Sequence, residues 1–356
     1  MTKLGLSWHA MSKPRAISSV AGLAAHGLVS SEQAKHLAKV DKKFSTRLTG
    51  AVLAQIKSVE LGDPIFRQYV PSTDELAVQP DELADPTGDG PHGKVKGIIH
   101  RYEDRLLLTP THTCQVYCRF CFRREKVGQG ADMLSKAELD AALAYVATHP
   151  EVHEVILSGG DPLVLSDRRL GEIMQRLAAI DHVQVIRFHT RVPLVEPTRI
   201  TPALIKILRV RPAVYVVVHV NHGAELSKEV CKGLARMARA GIPLLSQTVL
   251  LKGVNDDAEA LATLFRTLVA NRVKPYYLHH LDRAKGTSHF RVSIRRGQDI
   301  MRSLRGRLSG IAQPTYVIDI PGGFGKVPIG PQDLSEADGT CEITDPEGRR
   351  HRYSEN

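Results

Sequence analysis

Residues 213–251 read AVYVVVHVNHGAELSKEVCKGLARMARAGIPLLSQTVLL, and this stretch decides the fold class. An apolar, β-branched run is followed by a helix-forming segment from Ser227 to Ala240, then by Gly241 and a second apolar run. Gly241 is a natural C-cap for the helix. Near-continuous apolar strands that alternate with helices are typical of a parallel sheet, because such strands are buried on both faces. The stretch therefore predicts a strand–helix–strand unit.

The same alternation continues along the chain. Seven apolar, β-rich runs are predicted strands: RLLLT (105–109), EVILS (154–158), VQVIRF (183–188), AVYVVVHV (213–220), PLLSQTVLL (243–251), PYYLHHL (275–281) and TYVIDI (315–320). A helix is predicted to begin at Ser135, where SKAE is a capping box. Repeated units of this kind indicate an α/β protein built as a partial or full (β/α) barrel. Polar residues follow several strand ends, and in a barrel those ends share the face that carries the chemistry.

Composition divides the chain into three regions. Residues 1–95 are helix-forming and end in a Pro/Gly/Asp-rich connector, residues 96–330 form the predicted barrel core, and residues 331–356 are a short polar tail. The N-terminus has no apolar segment long enough for a signal peptide, and no run approaches the roughly 18 apolar residues of a membrane span. We therefore expect a cytoplasmic protein without a membrane partner.

The formal net charge of +10 is compatible with nucleic acid, an acidic protein or an anionic cofactor as the partner. The arginine-rich segment at 293–307 is interpreted as a solvated helix face. Aromatic residues make up only 5% of the chain, which disfavours a platform for stacking bases. Nucleic acid is therefore not the expected partner.

Three of the five cysteines lie within eight residues, CQVYCRFC at 114–121. In a cytoplasmic chain such a cluster is more typical of metal binding or catalysis than of a disulfide. Cys114, Cys118 and Cys121 have the spacing C-x3-C-x2-C and could bind three irons of a four-iron cluster, leaving the fourth iron open to a chelating ligand. A zinc site with His112 as the fourth ligand is the alternative.

C-x3-C-x2-C after the first strand of an α/β barrel resembles the signature of radical S-adenosylmethionine (radical SAM) enzymes. The resemblance implies a [4Fe-4S] cluster whose open iron binds S-adenosylmethionine and which, when reduced, cleaves it to a 5′-deoxyadenosyl radical. The SGGD sequence is similar to the glycine motif of that family, in which bare backbone lets the methionine end of the ligand approach closely. In this chain the motif is formed by four residues: Ser158, Gly159, Gly160 and Asp161.

The stretch DIPGGFGKVP at 319–328 is the second informative motif. A phosphate-binding P-loop would need Gly at position 320 and Ser or Thr at position 327, but the chain has Ile320 and Val327. The glycines instead predict a flexible loop that presents Lys326. A surface lysine in a turn is one interpretation, and a lysine that forms a Schiff base with pyridoxal phosphate is the other.

Several segments taken together resemble the lysine 2,3-aminomutases. They occur in order between about residues 60 and 330: HRYEDRLLL, CRFCFRRE, SGGDPL, RVPLVEPTRI, HVNH, QTVLLKGVND, PYYLHHLD and VIDIPGGFGKVP. The resemblance implies an isomerase that converts L-lysine to β-lysine. In that reaction the amino group moves from the α- to the β-carbon on pyridoxal phosphate, and the radical comes from S-adenosylmethionine.

The resemblance also implies roles for single residues around pyridoxal phosphate. Lys326 would hold the cofactor as a Schiff base. Two guanidiniums and a phenol would bind its phosphate: Arg101, Tyr102 and Arg105. The alternative for these three is a surface ion-pair cluster with Glu103 and Asp104.

For the substrate, the resemblance implies that Arg123 pairs with the α-carboxylate and that Asp282 and Asp319 hold the distant ammonium. Two anions would then select a cationic side chain. His219 and Gln247 would contact S-adenosylmethionine. The structural alternatives are capping of a turn for the two carboxylates, and a satisfied core group for His219 and Gln247.

The longer aminomutases carry an additional zinc site, and the chain departs from them there. The first zinc-ligand position is occupied by Asp257, and the tail has only Cys341. We therefore expect no zinc, and structural roles for Cys231 and Cys341. The short tail resembles relatives that make β-lysine for modifying translation elongation factor P. Those relatives often depart from the Asp319 motif, which is intact in this chain.

Three other functions stay open at this level. An aminomutase for arginine fits the charge of Asp282 and Asp319, whereas both would repel the side chain of glutamate. A radical SAM enzyme that modifies RNA would not need Lys326, and its binding would weaken steeply with salt. A non-catalytic zinc-binding scaffold is the third. The expected partners are an amino acid substrate and an acidic electron donor such as flavodoxin or ferredoxin, and a homo-oligomer is left open.

Overall fold

The computed structural model describes residues 16–60, 62–128, 132–337 and 340–353. The helices of this part of the chain are α1 (Val20–Ala25), α2 (Ser31–Lys43), α3 (Gly50–Leu53), α4 (Pro64–Tyr69), α5 (Lys136–Ala147), α6 (Asp167–Ala178), α7 (Val192–Val195), α8 (Pro202–Leu208), α9 (Lys228–Arg239), α10 (Ala258–Ala270) and α11 (Ile294–Leu304). Its strands are β1 (Ile98–Tyr102), β2 (Arg105–Thr111), β3 (Glu154–Gly159), β4 (Val185–Thr190), β5 (Ala213–His219), β6 (Leu244–Val249), β7 (Val273–His279), β8 (Thr315–Asp319), β9 (Lys326–Pro328), β10 (Leu334–Ala337), β11 (Thr340–Thr344) and β12 (Arg350–Tyr353).

Strands β1 to β9 form one sheet in sequence order. The pairings from β2 to β8 are parallel, while β1 and β9 add antiparallel strands at the two edges. The sheet curls into a half-barrel with its two edges unpaired to each other. All seven predicted strands correspond to β2 through β8, so the predicted partial α/β barrel is confirmed.

The predicted helix boundaries follow from their caps. The Ser135 hydroxyl accepts from the Glu138 backbone N–H at 3.2 Å, and the Glu138 carboxylate accepts from the Ser135 N–H at 2.8 Å. The Ser227 hydroxyl caps the start of α9 by accepting from the Val230 backbone N–H at 3.3 Å, and Gly241 follows the end of α9 with a φ of 79°. A positive φ of this size favours glycine, which is why the helix ends at that point.

The strand that carries Lys326 differs from its prediction. Lys326 is the first residue of β9, where it lies opposite Asp319 in the antiparallel pairing with β8. The preceding turn is closed by a hydrogen bond from the Ile320 N–H to the Gly325 carbonyl at 2.8 Å. The expectation of a flexible loop at Lys326 is therefore corrected, since a strand of three residues is too short to show a periodic pattern.

The connector at 79–93 packs against the barrel. Glu82 accepts backbone hydrogen bonds from Gly286 at 2.9 Å and Thr287 at 3.1 Å. Asp85 accepts from the backbone N–H of Gly90 at 2.7 Å, which folds the segment into tight turns. The Pro/Gly/Asp-rich composition thus encodes a turn-rich wall of the barrel.

One apolar core runs through the N-terminal region and the barrel. Leu23 and Val40 of the first helices belong to the same buried cluster as Leu108 of β2 and Val216 of β5. No helix of the described residues is long and apolar enough to cross a membrane. The expectation about a signal peptide concerns the N-terminus, and residues 1–15 lie outside the described residues.

The polar tail contains a second, three-stranded antiparallel sheet in the order β10, β11, β12. Its side chains are largely exposed, among them Leu334 at 55% and Tyr353 at 57%. The strands were not predicted from the sequence because they are short and mostly polar, and hydrophobic periodicity is the signal that identifies a strand.

Candidate active site

A cavity of about 820 Å³ lies inside the half-barrel, and every residue predicted for the site lines it. These residues are Arg101, Tyr102, Arg105, Cys114, Cys118, Cys121, Arg123, Ser158, Gly159, Gly160, Asp161, His219, Gln247, Asp282, Asp319 and Lys326. They come from seven strands, β1, β2, β3, β5, β6, β8 and β9, and from the segments that follow β2, β3 and β7. The fold therefore brings together residues that are more than 200 positions apart in the sequence.

The three clustered cysteines lie in the loop after β2 as free thiols, and each faces the cavity. Burial, with the neighbouring Cys118, raises the pKa of Cys121 to about 11. No group of three His, Cys, Asp or Glu side chains in the described residues is gathered around a single ion position. His112, the fourth ligand of the zinc alternative, does not line this cavity.

A four-iron cluster makes a different demand on the same cysteines. Each thiolate binds a different iron, so the sulfurs need to surround a cluster and not converge on one ion. Three free thiols that face one cavity fit this donor set. Cys118 is held by Arg191, whose Nη1 donates to its Sγ at 2.9 Å. Arg191 is fixed in turn by Glu225, whose carboxylate accepts from Nη2 at 2.7 Å.

The glycines after β3 allow the cysteine loop to pack closely. A Cβ on Gly159 would lie 2.6 Å from the carbonyl oxygen of Thr111, and a Cβ on Gly160 would lie 2.2 Å from that of Thr113. Both distances are far below van der Waals contact. The glycines are therefore needed for close packing against the backbone of the protein's own loop. This is a structural reason for them, in addition to the expected approach of a bound ligand.

Asp161 ties β3 to β4. Its carboxylate accepts from the Thr190 hydroxyl at 2.7 Å and from the backbone N–H groups of Arg191 and Val192 at 2.7 and 3.1 Å. Burial raises the pKa of Asp161 even though it accepts these hydrogen bonds. Its side chain thus joins the segment after β3 to the end of β4 at the edge of the cavity.

Arg123 is fixed by a residue that the sequence analysis missed. Its Nε donates to Asp89 at 2.7 Å and its Nη1 donates to the Ser158 hydroxyl at 3.1 Å. Asp89 is 2% exposed. Burial alone would raise the pKa of Asp89, but the charge and hydrogen bond of Arg123 outweigh it and lower that pKa. The local sequence predicts only a connector at Asp89, because an aspartate between two glycines is typical of a turn.

Lys326 is held by groups on three strands. Its backbone N–H donates to the Tyr102 hydroxyl at 3.1 Å, and its Nζ forms an ion pair with Asp319. The Nζ also lies 3.3 Å from Nδ1 of His279. Burial would raise the pKa of Asp319, but the nearby His279, whose Nδ1 is 3.7 Å away, and the charge of Lys326 lower it to about 2.

The pKa of Asp282 is shifted in the opposite direction from that of Asp319. Burial and the negative charge of Asp319 raise the pKa of Asp282 to about 7, although Lys326 and Arg123 act in the opposite direction. Asp319 is therefore ionised throughout the neutral range, whereas Asp282 changes its charge within that range.

The three residues predicted for phosphate binding take two orientations. Arg101 points into the cavity, where its Nη1 lies 3.9 Å from Asp319 and its buried Nε has no hydrogen-bond partner in the described residues. The Arg105 guanidinium stacks on the Tyr102 ring at 3.9 Å and pairs with Asp104 at 2.6 Å. Part of the predicted ion-pair alternative is thus present, at Arg105.

His219 and Gln247 are neighbours on β5 and β6 and both line the cavity. Nε2 of His219 is buried without a hydrogen-bond partner in the described part of the chain. Buried polar atoms of native proteins are normally satisfied, so an orphaned nitrogen that lines a cavity fits a bound ligand. Asp257, at the position that the family resemblance assigns to a zinc ligand, caps α10 by accepting from the backbone N–H groups of Glu259 and Ala260.

Comparisons with known proteins agree with this architecture. The Radical SAM superfamily model matches residues 108–265, and a model described as Lysine-2,3-aminomutase matches residues 301–355. An L-lysine 2,3-aminomutase of Methanococcus maripaludis is 42% identical over 289 residues, which are 81% of this chain and 67% of the relative.

Two further relatives are similar over most of their length. An L-lysine 2,3-aminomutase of Clostridium subterminale is 38% identical over 325 residues, 91% of this chain and 78% of the relative. A glutamate 2,3-aminomutase of Clostridioides difficile is 36% identical over 303 residues, 85% of this chain and 72% of the relative. With the cysteine loop, the half-barrel and these similarities together, the chain belongs to the lysine 2,3-aminomutase family of radical SAM isomerases.

Proposed function

We propose that this protein is a lysine 2,3-aminomutase that converts L-lysine to β-lysine and that uses pyridoxal phosphate bound to Lys326. The observation that carries the proposal is the ion pair between Lys326 and Asp319 inside the cavity that the three cysteines also line. It puts an amine suited to an aldehyde cofactor beside a carboxylate suited to a substrate ammonium.

The residues of the cavity fit the two cofactors of a radical SAM enzyme and pyridoxal phosphate. Cys114, Cys118 and Cys121 would hold a [4Fe-4S] cluster, which with S-adenosylmethionine supplies the 5′-deoxyadenosyl radical when bound. Pyridoxal phosphate, when bound, carries the migrating amino group and stabilises the radical. The unpartnered Nε of Arg101 supports an anionic group in the cavity.

Arg123 is suited to bind the α-carboxylate of an amino acid. Asp89 and Ser158 occupy its Nε and Nη1, and its Nη2 makes no hydrogen bond within the described residues. Two fixed donors keep the guanidinium plane from rotating, so the remaining donor keeps a constant direction. An arginine fixed in this way loses less conformational entropy when it binds a carboxylate.

Asp319 is suited to bind the distant ammonium of lysine, because it already binds an ammonium. When Lys326 is linked to an aldehyde, its nitrogen is no longer an ammonium with three N–H donors, and Asp319 becomes available to a cation of the substrate. Asp282 lies close enough to Asp319 for the charge of one to change the pKa of the other. Both carboxylates disfavour a substrate such as glutamate, whose side chain is an anion.

The RNA-modifying alternative receives less support from the arginine-rich segment 293–307, because three of its arginines pair with carboxylates. Arg302 pairs with Asp299 at 3.1 Å, Arg307 pairs with Glu259 at 2.7 Å, and Arg305 forms an ion pair with Asp333. These arginines are already neutralised by carboxylates of the same protein, as expected for a solvated helix face.

We further propose a cytoplasmic enzyme reduced by an acidic electron donor, such as flavodoxin or ferredoxin, because the chain carries a net charge of +10. Supply of β-lysine for elongation factor P is the pathway we propose, because Asp257 stands where the longer aminomutases have a zinc ligand. Neutralising exposed arginines and lysines would slow reduction by the protein donor and leave reduction by dithionite unchanged. Equal rates with both reductants would contradict the acidic donor.

An anaerobic assay tests the reaction itself. The cluster-reconstituted protein is given pyridoxal phosphate, S-adenosylmethionine, a reductant and L-lysine, and the product is identified by mass spectrometry. We expect β-lysine from the wild type and none from Lys326→Ala. Formation of 5′-deoxyadenosine without β-lysine would show that lysine is the wrong substrate, and arginine would be assayed next. Absence of both products from a protein with a full cluster would overturn the proposal.

A further inference from the structure

His279 ends strand β7, and its side chain lies in the cavity wall beside Lys326. Its Nδ1 is 3.3 Å from Nζ of Lys326 and 3.7 Å from Oδ2 of Asp319. Only 17% of the His279 side chain is exposed. The imidazole therefore contacts both members of the ion pair, and adjacent strands β7, β8 and β9 contribute one side chain each to the group.

The contact with Lys326 determines how the imidazole is protonated. An ammonium group can only donate hydrogen bonds, so Nδ1 of His279 accepts from Nζ in the tautomer that carries the ring proton on Nε2, an atom that is buried without a hydrogen-bond partner in the described residues. Burial and the charge of Lys326 lower the pKa of His279, while Asp319 acts in the opposite direction. In this tautomer the neutral imidazole presents Nδ1 as a proton acceptor to the ammonium of Lys326.

We propose that His279 is a catalytic residue that accepts a proton from Nζ of Lys326 and so makes the lysine amine a nucleophile. A protonated lysine has no electron pair with which to attack an aldehyde, so a nearby base is needed. The inference rests on the proposed function, in which Lys326 is linked covalently to pyridoxal phosphate.

The proton and electron balance of the step is closed without another reagent. One proton passes from Nζ to Nδ1, and the electron pair of the neutral amine forms a bond to the aldehyde carbon. The carbonyl oxygen then receives two protons, one directly from Nζ and one carried by His279, and leaves as water. A protonated carbon–nitrogen double bond remains, His279 is neutral again, and nothing is oxidised or reduced.

Asp319 stabilises both ends of the proton transfer, because the positive charge stays within 4 Å of its carboxylate. The charge is first on Lys326, which forms an ion pair with Asp319, and then on His279, whose Nδ1 is 3.7 Å from the same oxygen. A carboxylate that stabilises an imidazolium is the usual partner of a histidine base. The pKa of Asp319, lowered to about 2 despite its burial, keeps this carboxylate charged at every pH of interest.

Other titratable groups around His279 do not replace it as the base. The Tyr277 ring, on the same strand, meets the imidazole edge-on at 5.6 Å. His189 on β4 and His219 on β5 have pKa values lowered chiefly by burial, and the charge of His279 contributes to both shifts. Among the histidines of the described residues, His279 is the one whose ring nitrogen lies within hydrogen-bond distance of Nζ of Lys326.

Stopped-flow absorbance of carbon–nitrogen bond formation tests the proposal without turnover. Protein that contains its cluster but no pyridoxal phosphate is mixed with pyridoxal phosphate, and the absorbance is followed. Borohydride trapping and peptide mass mapping then test whether the linkage is at Lys326. We expect His279→Gln to slow the linkage by about 100-fold. Its affinity for pyridoxine phosphate, which has no aldehyde, should equal that of the wild type.

His280→Gln is the matched control. His280 is the next residue of the chain, does not line the cavity, and its Nδ1 lies 2.8 Å from the Tyr316 hydroxyl. We expect this variant to form the linkage at the wild-type rate. A parallel loss in both variants would overturn a specific role for His279.

Rescue by free imidazole distinguishes a proton acceptor from a packing residue. In His279→Ala, added imidazole should restore the rate of linkage formation, with a pH dependence that follows the pKa of the added base. Linkage at the wild-type rate in His279→Gln, or no rescue in a folded His279→Ala, would overturn the inference. A wild type that traps no pyridoxal phosphate at Lys326 would instead overturn the proposed function, and the inference with it.

Discussion

Lys326 and Asp319 lie opposite each other on the antiparallel strands β9 and β8, and their side chains form an ion pair inside the cavity. The position that we propose for the substrate ammonium is thus filled by the protein's own ammonium. Under the proposed function, linkage of pyridoxal phosphate to Lys326 frees the carboxylate that a cationic substrate requires, so we expect the two binding events to be coupled.

Asp319→Asn is expected to lower kcat/KM for lysine by at least about 30-fold, because removal of one partner from a buried charge pair costs about 2–5 kcal/mol. Most of the loss should be in KM if the carboxylate binds the ammonium equally in the ground and transition states. Asp299→Asn is the control, since Asp299 pairs with Arg302 on the exposed face of α11. A kcat/KM within twofold of the wild type would contradict the proposed role of Asp319.

Asp89→Asn is expected to raise KM for lysine by about 10- to 100-fold, as a hydrogen bond to a charged group contributes about 1.5–3 kcal/mol. The asparagine fits the same space but removes the charge that holds Nε of Arg123 at 2.7 Å. Steady-state kinetics with lysine, and with an analogue that lacks the α-carboxylate, make the measurement. The variant and wild type should bind the analogue equally, and an equal loss for both ligands would rule out a role through Arg123.

The parallel strands could be predicted because burial on both faces leaves a long apolar signature, as in the run from Ala213 to His219. The edge strands β1 and β9 could not, because they are short and carry the polar residues of the site. The cysteine loop and Lys326 were recognisable as motifs. The surroundings of those motifs depend on tertiary contacts that the local sequence does not encode.

Asp89 and His279 illustrate this limit. Asp89 contacts Arg123 across 34 positions of the chain, and His279 contacts Lys326 across 47. Each stands in a segment with a sufficient local explanation, a glycine-rich turn for Asp89 and a strand end for His279. The curled sheet of the half-barrel brings both side chains to the cavity, which is visible only in the three-dimensional structure.

The charge of the cavity depends on pH because Asp282 titrates near neutral pH. Burial and the charge of Asp319 raise its pKa to about 7 in the folded protein, far above that of an exposed aspartate. Folding therefore favours the protonated carboxyl. The stability that the protonated form provides is complete below about pH 4 and is lost as the pH rises through 7. Ionisation above pH 7 also adds an anion to the site, so KM for lysine should fall as the pH rises from 6 to 8.

Chemical denaturation of Asp282→Asn measures the stability effect. The variant should be more stable than the wild type by about 2–4 kcal/mol at pH 8, and the difference should vanish near pH 4. In kinetics, KM of the variant should lose its dependence on pH between 6 and 8. A stability difference that stays constant from pH 4 to 8 would show that Asp282 does not titrate in this range.

Gly160→Ala is expected to reduce the amount of cluster that the protein binds. The new Cβ would lie 2.2 Å from the carbonyl oxygen of Thr113, a backbone atom next to Cys114, so the cysteine loop has to move. Gly171→Ala on α6 is the matched control, because the nearest atom to its Cβ is 4.0 Å away on Ile207. Iron and sulfide per chain, measured after anaerobic reconstitution, should fall by half or more in Gly160→Ala and stay at the wild-type value in Gly171→Ala. Full cluster content in a folded Gly160→Ala protein would show that the loop position does not depend on the bare glycine.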